Sequence, residues 1–367
     1  MTQHTTALQT PLSPAQLDAF GKELDALRER VQADLGERDV AHIKKIIRLH
    51  TRLEYGGRAL LMFSVFPPAW VAGTLSLGIA KILDNMEIGH NIMHGQYDWT
   101  GDPELKGQSF EWDTACPADQ WRHSHNYMHH TFTNVREVDR DIGYGVLRMS
   151  EAQPWHPGYI LNPLYATLLA LFFEYGVALH DLETEKLRHG QWNWKEKRPM
   201  LKAIRKKIGR QALKDYGLFP LLAGPFFLPV LAGNAVANLI RNLWTFSIIF
   251  CGHFPEGTHE FEKAELEGES RGHWYYRQLL GSANISGGRW FHILSGHLSH
   301  QIEHHLFPTI PGSRYAEMST EVKEICERYG LPYNEGPFRK QFTSVVRKIF
   351  RLSLPNKAPK SAELAPA

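Results

Sequence analysis

The sequence predicts an all-α integral membrane protein. Two transmembrane helical hairpins, four crossings in all, are expected under a cytoplasmic helical cap that carries a histidine-rich site for two metals. Three observations lead there. Two sets of paired apolar blocks are each interrupted by a short turn, a strongly basic segment separates the sets, and three histidine clusters sit in the polar stretches that follow. Three divisions are expected: a tail and amphipathic helix over 1–38, a membrane domain over 39–350, and a disordered Pro/Ala/Lys tail over 351–367.

The chain has 367 residues, with 41 Lys+Arg against 39 Asp+Glu and 43% hydrophobic residues. So even a balance excludes a strongly basic nucleic-acid binder, and no nucleic-acid partner is expected. It equally excludes an acidic disordered chain. Three scattered cysteines (Cys116, Cys251, Cys326) cannot build a disulfide framework. The opening MTQHTTALQTPLSPAQ has no apolar core, so no secretory signal is expected.

Ser13-Pro14 is a helix start, with Ser13 as N-cap and Pro14 in the first turn. Leu17, Phe20, Leu24, Leu27 and Val31 follow at spacings of three and four, an amphipathic helix running to about Gly36. A second helix begins near Asp39. It is basic at first (Lys44, Lys45, Arg48, Arg52, Arg58) and then apolar from Ala59 to Phe66. Pro67-Pro68 breaks it. Residues 69–83 are apolar apart from Lys81, so a hairpin dipping into a bilayer is expected, although its first arm is short against the roughly 20 residues of a full span. Residues 218–232 and 235–251 form a second hairpin, charged only at Arg241.

Residues 160–179 are also apolar but carry Glu174. Between Lys186 and Lys214, eleven Lys/Arg face one acid, Glu196, which places that segment on the cytoplasmic side. A crossing at 160–179 would put it on the opposite side from residues 84–158. An interfacial helix is therefore expected at 160–179, and the basic segment lies beside anionic head groups.

The twenty histidines carry the functional argument. His90 and His94, then His125, His129 and His130, then His300, His304 and His305 form three clusters, each with an H-x-x-x-H spacing. On a helix, residues four apart share a face and can hold one metal between two imidazoles. One such pair is weak evidence; three in one chain are strong. His253, ending the second hairpin as His90 and His94 follow the first, is a ninth candidate. Nine imidazoles exceed the four ligands of a zinc site, so two metals fit better. Imidazole alone does not select among Zn, Cu, Fe and Ni. His297 is a further candidate to face the site. His123, His156, His180, His189, His259, His273 and His292 read as surface or core residues. No H-E-x-x-H motif and no strand followed by G-x-G-x-x-G is present, which excludes a zincin protease and a nicotinamide or flavin site of the chain's own.

The three clusters, in this order, resemble the histidine boxes of the integral-membrane fatty acid desaturase family. HQIEHHLFP (residues 300–308) is the most distinctive, and WRHSHNYMHHTFTN is similar to the second box of the acyl-CoA branch. MEIGHNIMHGQYDW, DIGYG, FCGHFPEG and GSANIS are similar to its stearoyl-CoA Δ9 members. The resemblance runs from about Asp84 to Pro311. It implies a non-haem centre of two Fe2+ ions, held by His90, His94, His125, His129, His130, His253, His300, His304 and His305, with O2 as co-substrate. All but His253 and His300 are also implied as catalytic residues. Some branches use the next residue, Gln301, in place of His300. Glu87, Asp139, Asp141 and Glu303 are candidates to accept the ligands' other N–H.

The resemblance further implies cis desaturation of a long-chain acyl-CoA, stearoyl or palmitoyl, at Δ9. Electrons would come from a reductase or ferredoxin-type protein, in a cell inner membrane with the site facing the cytoplasm. An acyl hydroxylase and a desaturase of another regiochemistry, such as a linoleoyl or front-end type, are the near alternatives. A histidine-rich membrane metal-binding or transport protein is a distant one.

Overall fold

The computed structural model describes residues 8–183 and 193–356. Lys186, Arg188 and His189, and the expected disordered tail beyond residue 356, lie outside the described residues. The fold is all-α, with a single two-stranded parallel β pair among the described residues, Asn284–Ser286 against Glu335–Pro337.

Helix α1 (Pro14–Ala33) starts as its sequence dictates: Gln16 N donates to Ser13 Oγ at 3.3 Å and Ser13 N donates to Gln16 Oε1 at 3.0 Å. Its buried stripe is Leu17, Phe20, Leu24, Leu27 and Val31. That stripe covers a core shared with the segments after residue 260. Contact is closest at Gly21 and Gly272, where a Cβ added to Gly272 would lie 2.1 Å from Leu17 O.

Helix α2 (Glu37–Met62) ends before the proline pair, and α3 (Pro67–Ile82) starts on it, using Pro67 in its first turn. The two arms meet backbone to backbone: an added Cβ at Gly57 would lie 2.9 Å from Gly73 O, and one at Gly73 equally close to Gly57 O. Close approach through small residues is how apolar helices pack without a hydrophobic drive between them. The hairpin tip is exposed at the apolar residues Phe63, Val65 and Phe66.

Beyond Ile82 the third helix continues as a π-helix, Leu83–His90. Helix α4 (Ala118–Trp121) likewise runs on as a π-helix, Arg122–His129. Helices α5 (Asn162–Leu171) and α6 (Phe173–His180) are bent by 100° relative to each other. Asn242 seals that bend, donating to Leu171 O at 2.9 Å and accepting from Glu174 N at 3.4 Å. Glu174 is buried and ion-paired with Arg241, which explains an acid in the middle of an apolar run.

Helix α7 (Trp194–Ala212) carries the described part of the basic segment. Helix α8 (Phe227–His253) is unbroken over 27 residues, so the second hairpin does not turn between residues 232 and 235 as the apolar blocks predict but at Gly224–Phe226, after a short helical stretch Phe219–Leu222. With its preceding turn it is the one described helix long and apolar enough to cross a membrane; the α5–α6 pair passes only if counted as a single bent span. The first hairpin's second arm, Pro67–Ile82 with its π-helical continuation, does not meet that measure.

Candidate metal centre

The first two histidine clusters do not sit on ordinary α-helix. Both lie on or just after π-helical turns, whose hydrogen bonds run from i to i+5. That wider turn places His130 one turn after His125, so His125, His129 and His130 converge where an α-helix would splay the last two apart. Four ring nitrogens, from His90, His94, His125 and His304, lie within 4.8 Å of one another. A second group with the same spacing holds His129, His253 and His305, and a third joins His130 to His304 and His305. Two adjacent pockets therefore share the third cluster as a common wall.

Nε2 of His90, His94, His125, His129, His130, His304 and His305 is buried without a hydrogen-bond partner. Such atoms are costly orphans in a folded interior. Their convergence fits a pair of metal ions with imidazole ligands. Burial holds the rings neutral, as metal ligation requires. Burial, then neighbouring imidazoles, lowers the pKa of His94, His130, His304 and His305 well below the usual value, and that of His90 to about 3. His129 differs: burial lowers its pKa, but Asp139 and Asp141 outweigh this and push it up to about 9.

The opposite edges of the rings are held in place. His129 Nδ1 meets Asp139 Oδ2 at 2.9 Å, and Asp139 is itself fixed by N–H donors from Asn134 at 2.8 Å and Asp141 at 3.0 Å. His90 Nδ1 meets Asn91 Oδ1, and His305 Nδ1 meets Gln278 Oε1, each at 3.1 Å. Of the four acids read from sequence, Asp139 touches a clustered histidine directly. Asp141 lies 3.6 Å from His125 Nδ1 and 3.7 Å from His129 Nδ1. Glu87 instead joins His42 Nε2 at 2.8 Å and His297 Nδ1 at 2.9 Å, which is where the His297 candidate goes. Glu303 accepts from Asn284 at 2.8 Å and Tyr333 at 2.9 Å, and burial raises its pKa to about 7.

His300 stands apart from the three groups. Its ring stacks on His292 with centroids 4.7 Å apart. The cause is local: His297 adopts a left-handed φ of 59°, a 3-10 turn follows, and the helix that carries His304 begins only at Gln301. His300 and His304 therefore do not share one helical face. Gln301 takes the inward position, its Nε2 2.9 Å from His253 Nε2. Sequence reasoning also passed over Trp121, which stacks on His125 at 4.4 Å, and His180, whose Nε2 lies 3.2 Å from Asp141 Oδ1. The position of Trp121 within the second box was the available signal.

A mainly apolar cavity opens onto His90, His125 and His253 and runs past Met86, Trp121, Phe173, Val177 and Ile249. Beside it lies a groove lined by Arg122, Lys206, Lys207, Arg210 and Lys214 and by Asp84, Glu111, Asp113 and Asp119; Trp112 and Thr114 line both.

Comparison with known proteins agrees with this centre. The fatty acid desaturase family profile matches residues 66–337. The chain is 45% identical over 350 residues to the NADPH-dependent stearoyl-CoA 9-desaturase of Mycobacterium tuberculosis, covering 94% of this chain and 82% of that protein. It is 28% identical over 292 residues to the sn-1 linoleoyl-lipid 6-desaturase of a Synechocystis strain, covering 76% of this chain and 79% of that one. It is 25% identical over 316 residues to human fatty acid desaturase 3, covering 79% of this chain and 64% of that one. A buried histidine cage at the end of a long apolar helix, matched over most of its length by such relatives, makes this chain an oxidoreductase of the fatty acid desaturase family.

Proposed function

We propose that the chain inserts a cis double bond at Δ9 of a long-chain acyl-CoA, stearoyl or palmitoyl. The observation that carries this is the convergence of eight histidines from four separate segments, with orphaned nitrogens facing inward. His90, His94, His125 and His304 would hold one iron. His129, His253 and His305 would hold the other, with His130 between them. Gln301 or His300 would complete the set. When bound, the iron pair supplies the O2 activation that acid–base side chains cannot provide for an unactivated methylene.

The chain's own residues do the rest. Asp139 orients His129, Asn91 orients His90, and Gln278 orients His305, so each ring presents its free nitrogen. Trp121 and the apolar cavity walls exclude water and hold two adjacent methylenes against the histidines. Oxidation of that pair, with O2 reduced to two waters, takes two electrons and two protons from outside the chain. A reductase or ferredoxin-type donor supplies the electrons; the name of the mycobacterial relative points to NADPH as their source.

The groove suits a phosphate-bearing carrier at Lys206 and Arg210, which form no ion pair among the described residues, while Lys207 and Lys214 pair with Glu111 and Asp113. Both apolar hairpins would cross the inner membrane, giving four crossings. The histidine centre would then lie just outside the lipid on the cytoplasmic side, within a single membrane domain spanning 39–350.

The test is to express the chain with a reductase, supply stearoyl-CoA, and analyse the product by mass spectrometry. Oleoyl product is expected. Hydroxylated product would favour an acyl hydroxylase, and a shifted double bond another regiochemistry.

A further inference from the structure

The passage between groove and cavity contains polar atoms that the reading above leaves unused. Gln211, on the wall of the basic groove, donates to Glu174 Oε2 at 2.9 Å, and Glu174 holds Arg241 in a buried ion pair. Arg241 therefore stands near where groove and cavity meet. Its side chain is 2% exposed. Nε donates to Asn242 Oδ1 at 3.1 Å, and Nη2 reaches Glu174 and Asn238 Oδ1. Nη1 has no partner. Nor has Oγ1 of Thr114, a residue 4% exposed. Both residues line the same cavity.

Two orphaned donors in one buried passage call for an acceptor that arrives with a ligand. The Arg241 charge is already matched by Glu174, so a neutral oxygen suffices. If an alkyl chain fills the apolar cavity and a phosphate-bearing carrier fills the groove, the group left in the passage is the linkage between them.

We propose that Arg241 Nη1 and Thr114 Oγ1 form the subsite for the carbonyl oxygen of the acyl–carrier linkage. The inference rests on the acyl-CoA reading above. Both residues are positioning groups: they pin one end of the chain. Arg241, Thr114 and His253 line one cavity, so a carbonyl held at the first two fixes which methylenes reach the histidines.

The test compares stearoyl-CoA with S-octadecyl-CoA, the thioether that lacks the carbonyl, for binding to the purified metal-loaded protein. Three forms are measured: unmodified, Thr114→Val and Arg241→Lys. The lysine variant keeps a cation beside Glu174 and loses the second guanidinium arm, and the valine variant is nearly isosteric. The unmodified protein is expected to prefer the thioester by about ten- to a hundredfold, with most of that preference lost in each variant. Double-bond position, read by mass spectrometry, is expected to scatter over neighbouring carbons in the variants. Equal affinity of the unmodified protein for the two ligands would overturn the subsite, as would an undiminished preference in both variants. Failure of the unmodified protein to bind or desaturate stearoyl-CoA at all would instead overturn the underlying acyl-CoA reading, and the subsite with it.

Discussion

Two buried polar regions sit at different levels of this molecule and follow opposite rules. In the histidine cage, seven Nε2 atoms have no partner. In the charged cluster between the hairpins, the Asp215 carboxylate is fully engaged: it accepts from Arg58 Nη2 at 2.8 Å, Lys81 Nζ at 2.7 Å and Asn238 Nδ2 at 3.2 Å. Asp215 is inaccessible to solvent and its two cations are 5% and 6% exposed. The charged cluster is satisfied by the protein itself, with Arg58 Nε the one guanidinium nitrogen left over. The other is built to be satisfied by something else. Buried polar groups are expensive unless paired, so a network met mostly by the chain's own groups is structural, and a set of converging orphans marks chemistry.

Substitutions should separate the two roles. The largest effect is expected in the cage: His129→Ala abolishes all product and empties one pocket of iron, while the metal-free protein melts no lower than the unmodified one. A lower melting temperature in the metal-free variant would mean that the ring is structural. Asp215→Ala should do the reverse. Removing one member of a buried ion network leaves unpaired charge and is expected to cost about 3–5 kcal/mol, read from thermal unfolding in detergent, with iron content per folded chain unchanged. A loss under about 1 kcal/mol would show the network to be solvated.

A third substitution probes the border of the cage. Asp139→Asn removes the charge behind His129 and should weaken iron binding by about 10- to 100-fold, measured by chelator competition. The smallest effect resolves the third cluster. Gln301→Ala should lower iron occupancy measurably, and His300→Ala should leave it unchanged; the opposite pattern would return His300 to the ligand set.

The comparison also explains what the sequence could tell. Histidine identity and spacing are local facts, so the clusters at 90–94, 125–130 and 304–305 were legible before any fold was known. The Ser13 cap and the Pro67 break were legible for the same reason. Partner choice over long range was not. Glu87 looked like a support for the ligand rings, yet it meets His42 and His297 instead. Glu174 stood out as an acid in an apolar run; its charge is met by Arg241, which is distant in sequence. The third cluster misled by spacing alone, since a left-handed residue at 297 restarts the helix after His300. Backbone irregularities of this kind leave no periodic trace in composition.

The central claim is that separate segments of one chain build a paired metal centre from imidazoles. Anomalous diffraction at the iron edge, on crystals of the protein purified with its metal, tests it most directly. Two iron peaks are expected, one inside the ring of His90, His94, His125 and His304 and one beside His129, His253 and His305. A single zinc peak, or iron bound only outside those rings, would contradict the account.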